Sequence, residues 1–318
     1  MNLPPEFISN IQNTFREQGN AFLEALPESI LEASARWGLT DVQPASNLSY
    51  NFVAFAICAS TTPLRGSAQR DVVLKMGVPN RELKSEMAAL RLFNGEGACK
   101  LIDFDEEKYW MLLERLNPGV MLATLEDDEE ATHIAADVMQ KIWRPMESAN
   151  LLAQEQAPAL QNFIQLSDWF DGLKRLRAMF GGGTGPLDER LVERVERSVR
   201  DFFTENHKPV LMHGDFHHFN ILSSERGWLI IDPKGVIGPA CYEVGPLLMN
   251  PWGDLLSGRD YRRMTKRRID ILHEQLRFER ERIREWALAH AILSAWWGIE
   301  DNTGWEYSLA FAQMIAEL

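Results

Sequence analysis

Three oxygen-bearing side chains stand close together in the second half of the chain. Asp215 and Asn220 lie in His213-Gly-Asp-Phe-His-His-Phe-Asn220, and Asp232 ends Trp228-Leu-Ile-Ile-Asp232. The apolar run 209–212 stops at His213-Gly, and 221–222 and 228–231 read as two strands of a hairpin turning at Ser-Ser-Glu-Arg-Gly. Asn and Asp side chains are hard oxygen donors of the kind Mg²⁺ prefers. A carboxylate just upstream, within reach of the same metal-held phosphates, suits a base for a substrate hydroxyl. Phosphoryl transfer asks for this combination of positioning, charge neutralisation and a base. Asp215 is therefore the candidate catalytic residue, and Asn220 and Asp232 are the candidate metal ligands.

The histidines of the same stretch open a rival reading. His213, His217 and His218 together with Asp215 could hold zinc in a metallohydrolase. That reading finds no H-E-x-x-H helix and leaves Asn220 without a task. His213 fits better as a support that bonds the main chain around Asp232. His217 and His218 either orient the loop or face substrate.

Lys75 supplies the cation that such a site needs. It sits in the strand-like Asp71-Val-Val-Leu-Lys75-Met76, whose apolar face is buried and which directs the ammonium along the strand. A helix begins near Asn80, a good N-cap, and ends at Gly95, with Leu83, Met87 and Leu90 inward. Glu86 lies on or beside that inward face and could pair with Lys75; Glu82, one turn earlier, is the rival partner. A Lys–Glu pair of this kind can hold a lysine against nucleotide α/β-phosphates.

The elements that position these residues follow from pattern. Residues 5–18 and 21–36 read as helical, with Pro27 a candidate division between two helices. Residues 38–76 read as strands, then the helix after Asn80, then strands over 98–104 and 108–113. This gives a small, mostly antiparallel sheet with one helix inserted. After Asn117-Pro-Gly119 helices dominate: 129–143, 168–180, 188–203, 241–249, a broken 259–300 and 305–318. The glycine-rich 181–185 lacks the Lys-Ser/Thr of a P-loop and reads as a helix connector.

Composition narrows the partners. The chain has 318 residues and a net charge of −13, which disfavours nucleic acid and anionic membranes and is compatible with a cationic small molecule. A solvated acidic surface accounts for the same excess. Cys58, Cys99 and Cys241 form neither a disulfide framework nor a zinc spacing, which suits a reducing cytosol. The start carries no signal-peptide pattern. The apolar stretch 287–299 is too short to span a bilayer and reads as a core helix. A cytoplasmic enzyme with no evident protein partner is expected.

The chain resembles the aminoglycoside phosphotransferase family of the protein-kinase-like superfold. His213-Gly-Asp-Phe-His-His-Phe-Asn220 is similar to that family's H-G-D-x-x-x-x-N loop, and Ile231-Asp-Pro-Lys-Gly235 to its counterpart of the kinase D-F-G. The run 238–251, Arg36-Trp-Gly-Leu39, Tyr50-Asn-Phe-Val53 and Leu113-Glu-Arg115 resemble the branch containing streptomycin 6-kinases and hydroxyurea phosphotransferases. The likeness covers most of 20–300.

The resemblance implies an α+β, two-lobed kinase-like fold. Residues 1–115 would form a nucleotide lobe with a small antiparallel sheet and one key helix, and 116–318 a larger, mostly helical catalytic and acceptor lobe. It implies ATP and Mg²⁺ as cofactors. Asp215 would accept the hydroxyl proton, Asn220 and Asp232 would ligate Mg²⁺, Lys75 would hold the phosphates and Glu86 would hold Lys75. The Glu114 carbonyl and Leu116 amide would bond adenine.

The chain departs from the family where a phosphate-covering loop should lie. Ala45-Ser-Asn-Leu-Ser-Tyr-Asn51 has no glycine, leaving Ser46, Asn47, Ser49 and main-chain amides to meet phosphate. Glu243 stands where the family leads one to expect Asp, and either can anchor the hairpin. The acceptor is a small hydroxyl compound, and the family points to a streptomycin-like aminoglycoside. A sugar, an amino alcohol or a sugar-amine is the alternative, and a non-catalytic nucleotide-binding module a further one. Asp168, Asp171, Glu300 and Asp301 are candidates for a cationic acceptor, each also readable as an exposed helix charge. Trp169, Trp296 and Trp297 form either an aromatic wall or core filling.

Overall fold

A computed structural model describes residues 3–58, 70–146, 162–205, 208–251 and 260–318. The first lobe is built on a five-stranded antiparallel sheet. Its strands are β1 (Leu39–Pro44), β2 (Phe52–Cys58), β3 (Arg70–Met76), β4 (Leu101–Asp105) and β5 (Trp110–Glu114), ordered β1-β2-β3-β5-β4. Side-chain alternation assigns its two faces. Val72, Leu74, Met76, Trp110 and Leu112 point to one side. There they pack with Phe7, Ile11, Leu26, Ile30 and Ala33 of helix α1 (Pro5–Trp37). Met111 and Leu113 point to the other side, into the core that also takes Leu83, Met87, Leu90 and Phe93 of helix α2 (Arg81–Phe93). Lys75 shares this second face, so its ammonium is carried toward α2 rather than toward water.

The start of α2 is as expected, its end comes at Asn94 rather than Gly95, and Pro27 does not divide α1. Asn80 caps α2 by accepting the Leu83 amide at 2.8 Å, and Asn94 ends it in the left-handed region. The division of α1 lies at Arg16, whose φ is 51°, and not at Pro27. A Cβ on Gly19 would fall 2.4 Å from the Ile11 carbonyl, so the two segments cross where no side chain stands between them. Pro27 is accommodated inside the second segment.

The second lobe is mostly helical. Helix α3 (Asp128–Ile142) is followed by the short α4 (Leu166–Phe170) and α5 (Gly172–Met179). Then come α6 (Glu189–Thr204), α7 (Val244–Met249), α8 (Tyr261–Leu276), α9 (Arg280–Glu300) and α10 (Glu306–Ala316). Helix α9 is buried from Ala287 through Leu293, as an apolar stretch without a polar face requires. Among the described residues no helix is long and apolar enough to cross a membrane.

Small sheets frame the loops of interest. Strand β6 (Pro118–Met121) pairs with β10 (Ile221–Ser224), which forms the expected hairpin with β11 (Gly227–Ile230), Ile221 opposite Ile230. Strands β7 (Arg144–Pro145), β8 (Ile164–Gln165), β9 (Val210–Met212) and β12 (Val236–Gly238) make a second sheet ordered β7-β9-β12-β8. The loop 213–220 leaves β9, and the loop 231–235 enters β12. Because β9 and β12 are antiparallel neighbours, with Met212 opposite Val236, the two loops are held side by side.

Candidate active site

Glu243 fixes the first loop. Fully buried, its two carboxylate oxygens accept the main-chain amides of His213 at 3.0 Å and Gly214 at 2.7 Å. Burial pushes its carboxyl up to about 8, opposed by those two amides. Gly214 has φ 89°, and a Cβ there would fall 2.3 Å from a Val236 methyl, so the turn into Asp215 requires glycine.

His213 joins the two loops. Its Nε2 donates to the Ile231 carbonyl at 2.9 Å, and its Nδ1 accepts the Asp215 amide at 3.1 Å. Burial holds this imidazole low, at about 4, which matches the single-proton form these two bonds require. Asn220 Nδ2 donates to the Asp215 carbonyl at 3.1 Å, leaving its Oδ1 unclaimed among the described residues. Burial would raise the Asp215 carboxyl. The neighbouring His217, whose Nε2 is 3.6 Å away, together with Lys234 and His213, outweighs burial and holds it well below the usual carboxylate range.

The second loop presents Asp232 with φ 55°, an unusual main-chain conformation for a side-chain-bearing residue and one that functional sites concentrate. Lys75 reaches it across the lobes. Lys75 Nζ bonds both Glu86 oxygens, at 2.6 and 2.7 Å, and also Asp232 Oδ1. Burial alone would lower the lysine, yet Asp232 and Glu86 keep it above its ordinary value and so charged. Glu86, not Glu82, is thus the partner. Gly235, with φ 65°, lies so close to α2 that a Cβ would meet the Ser85 carbonyl at 2.6 Å. The Ser85 hydroxyl donates to the Gly235 carbonyl at 2.7 Å. Helix α2 is therefore tied to the Asp232 loop both through Lys75–Glu86 and through Ser85.

An oxygen pair fits Mg²⁺. The unclaimed Asn220 Oδ1 and the Asp232 carboxylate are two hard donors, and Mg²⁺ typically takes one or two such protein groups plus phosphate oxygens and water. The zinc alternative gains nothing. Among the described residues no three of His, Cys, Asp and Glu converge as a metal-binding group.

The remaining candidates scatter. Ser46 and Asn47 are exposed in the β1–β2 turn, whose Leu48 and Ala45 are buried beneath α1, while Asn10 of α1 donates to the Ser49 carbonyl at 3.4 Å. Glu114 closes β5, its side chain taken by the Lys100 amide and Arg226, and Leu116 is buried just beyond it. Of the four acidic candidates for an acceptor, three are engaged in exposed ion pairs: Asp168 with Arg81 at 2.7 Å, Asp171 with Lys174 at 2.7 Å and Glu300 with Arg175 at 2.7 Å. Asp301 has no ion pair among the described residues, and partial burial and then Glu300 raise its carboxyl. Burial, then Asp301 and Glu6, raise the Tyr50 phenol while Lys234 lowers it.

The tryptophans divide. Trp296 is fully buried and fills the core. Trp169 packs over Gly214, where a Cβ would lie 3.1 Å from its ring, and meets Trp297 edge-on at 5.3 Å. Both are partly exposed beside the Asp215 loop. Lys234, to which no role was assigned from sequence, also enters the site. Its signal was a lysine two residues after Asp232, between apolar neighbours.

Comparison with known proteins agrees with this geometry. Residues 57–302 match the family model described as aminoglycoside/hydroxyurea antibiotic resistance kinase. The chain is 29% identical over 303 residues to a streptomycin 6-kinase of Streptomyces glaucescens, covering 95% of this chain and 92% of that one. It is 28% identical over 294 residues to a hydroxyurea phosphotransferase of Kitasatospora aureofaciens, covering 89% and 76%. Its fold superposes on the choline kinase LicA from Streptococcus pneumoniae with a TM-score of 0.59 at 13% identity, over 91% of this chain and 97% of that one.

Proposed function

Because the chain belongs to the aminoglycoside/hydroxyurea antibiotic resistance kinase family, we propose that it moves the γ-phosphoryl group of ATP onto a hydroxyl of a cationic, streptomycin-like aminoglycoside. The observation that carries this reading is the Lys75–Glu86–Asp232 contact beside the loop that bears Asp215 and Asn220. Asp215 takes the proton of the acceptor hydroxyl as that oxygen bonds to the γ-phosphorus. The bond from the γ-phosphorus to the β,γ-bridging oxygen breaks, and ADP leaves with the electron pair. Asn220 and Asp232 would hold Mg²⁺, which when bound neutralises phosphate charge.

Lys75 holds the α/β-phosphates, with Glu86 locking the ammonium in place. Ser46 and Asn47 meet phosphate from above, and the Glu114 carbonyl and Leu116 amide take the adenine edge. The nucleotide lobe ends after Arg115. Trp169, Trp297 and Asp301 bound the acceptor side, and the net charge of −13 favours the approach of a polycation.

The test is direct. Purified protein with MgATP is offered streptomycin, other aminoglycosides and hydroxyurea, and both acceptor-dependent ADP release and a phosphorylated product are measured. Streptomycin-dependent turnover supports the reading. Turnover with hydroxyurea alone would move the acceptor class, and ATP-independent binding with no product in any mixture would overturn it.

A further inference from the structure

Lys234 is a cation at the centre of the site that the roles above leave unused. Its amide donates to the His213 carbonyl at 2.7 Å, which fixes its backbone between the two loops. Its ammonium lies 3.8 Å from Asp232 Oδ2, on the side of that carboxylate away from Lys75, and donates no hydrogen bond among the described residues. By contrast, Lys75 Nζ is committed to three oxygens. Asp232, then Glu82, Asp215 and Glu86, all act on the Lys234 ammonium and keep it charged.

The charge balance of the site asks for such a group. Asp215, Asp232, Glu82 and Glu86 all act on Lys234, while Lys75 bonds only Glu86 and Asp232. The turn 45–51 offers no glycine, so its amides would approach a terminal phosphate less closely than a glycine-rich loop allows. In phosphoryl transfer, charge spreads over the three equatorial oxygens of the group in flight, and a pre-positioned cation there acts more strongly than in water.

We propose that Lys234 is a second phosphate-binding lysine, whose ammonium contacts the transferring γ-phosphoryl group between Asp215 and Asp232. This rests on the kinase reading. Lys75 would then serve the α/β-phosphates and Lys234 the γ-phosphate alone. The proton balance is unchanged: Lys234 stays charged throughout and Asp215 takes the hydroxyl proton.

Binding of two nucleotides tests it without an acceptor. The affinities of the wild type, Lys234→Met, Lys234→Gln and Lys234→Arg for Mg²⁺–AMP-PNP and for MgADP are measured by calorimetry at fixed ionic strength, with thermal melting as a control for folding. A γ-phosphate contact predicts that Met and Gln weaken AMP-PNP about tenfold and ADP less than about twofold, and that Arg restores most of the difference. The same variants would lower kcat by about 10²–10³-fold, the range for removing one pre-positioned charge. Equal weakening of both nucleotides, or of neither, would overturn the assignment and leave Lys234 as a charge balance for Asp232. A wild type that binds neither nucleotide would sink the kinase reading itself, so the two failures are distinguishable. If Met and Gln do not fold, the AMP-PNP to ADP ratio of Arg decides, because a fork at the same place keeps the γ-preference only if the contact exists.

Discussion

Glu243 accepts the Gly214 amide at 2.7 Å, so the residue that opens the turn into Asp215 is held by a carboxylate 29 positions further along the chain. Its other oxygen takes the His213 amide. The Asp215 position therefore depends on a group that touches no substrate. Glu243→Ala leaves two buried amides without acceptors, at about 1–3 kcal/mol each. Urea denaturation should show a loss on the order of 2–6 kcal/mol, together with a fall in kcat larger than any change in nucleotide affinity. A variant as stable as the wild type would show that water replaces the carboxylate and that the anchor is dispensable.

Lys75 and Glu86 are both nearly fully buried, and each is costly without the other. Lys75→Met should destabilise by about 3–5 kcal/mol, because it strands a buried carboxylate. Adding Glu86→Leu should recover most of that loss while activity stays absent, since two apolar groups of similar volume replace the pair. Denaturation of the two singles and the double forms a mutant cycle. If the double loses the sum of the singles, the pair does not act as one buried unit.

The sequence reading reached the core of this site because its signals are local. The strand-like run 71–76 carried Lys75, though only the fold turns it toward α2, and the hairpin after Asn220 placed Asp232 at a strand end. The place of Glu86 between Leu83 and Leu90 favours it over Glu82, and the structure agrees: Glu86 is buried against Lys75 and Glu82 is exposed. The β7–β9–β12–β8 sheet that holds the loops side by side has strands of two and three residues, too short to show a period. The Arg175–Glu300 pair spans 125 positions and is decided by how α5 meets α9. The break in α1 falls at Arg16 rather than Pro27 because the crossing at Gly19, a tertiary contact, sets it.

Asp215→Asn removes the base while keeping the side chain's size. The Asn220 bond goes to the Asp215 carbonyl, and the amide to His213, so neither is lost. Activity with the best acceptor should fall by about 10²–10⁴-fold, the usual worth of a positioned base. Nucleotide affinity and melting temperature should stay close to wild type. A loss of nucleotide binding as large as the loss of turnover would assign Asp215 to phosphate or metal instead.

His290 makes the fold sensitive to acid. It lies buried on α9, its Nδ1 3.0 Å from the Tyr242 hydroxyl, with Trp297 edge-on to its ring. Burial lowers its pKa to about 4; Asp215 opposes this and His217 adds to it. The unfolded value is about 6.5. A group whose folded pKa is depressed contributes stability above its unfolded value and loses it as pH falls. The loss therefore runs from about pH 6.5 down to about 4 and totals on the order of 3 kcal/mol. His213 and His218 are lowered in the same sense. His290→Asn keeps an acceptor for Tyr242 but cannot take up a proton. It should be the less stable form at pH 7, from lost packing, and should lose less stability than the wild type between pH 6.5 and 4. Urea midpoints at intervals across that range measure the difference. Parallel curves for the two proteins would show that His290 is not held neutral in the folded state.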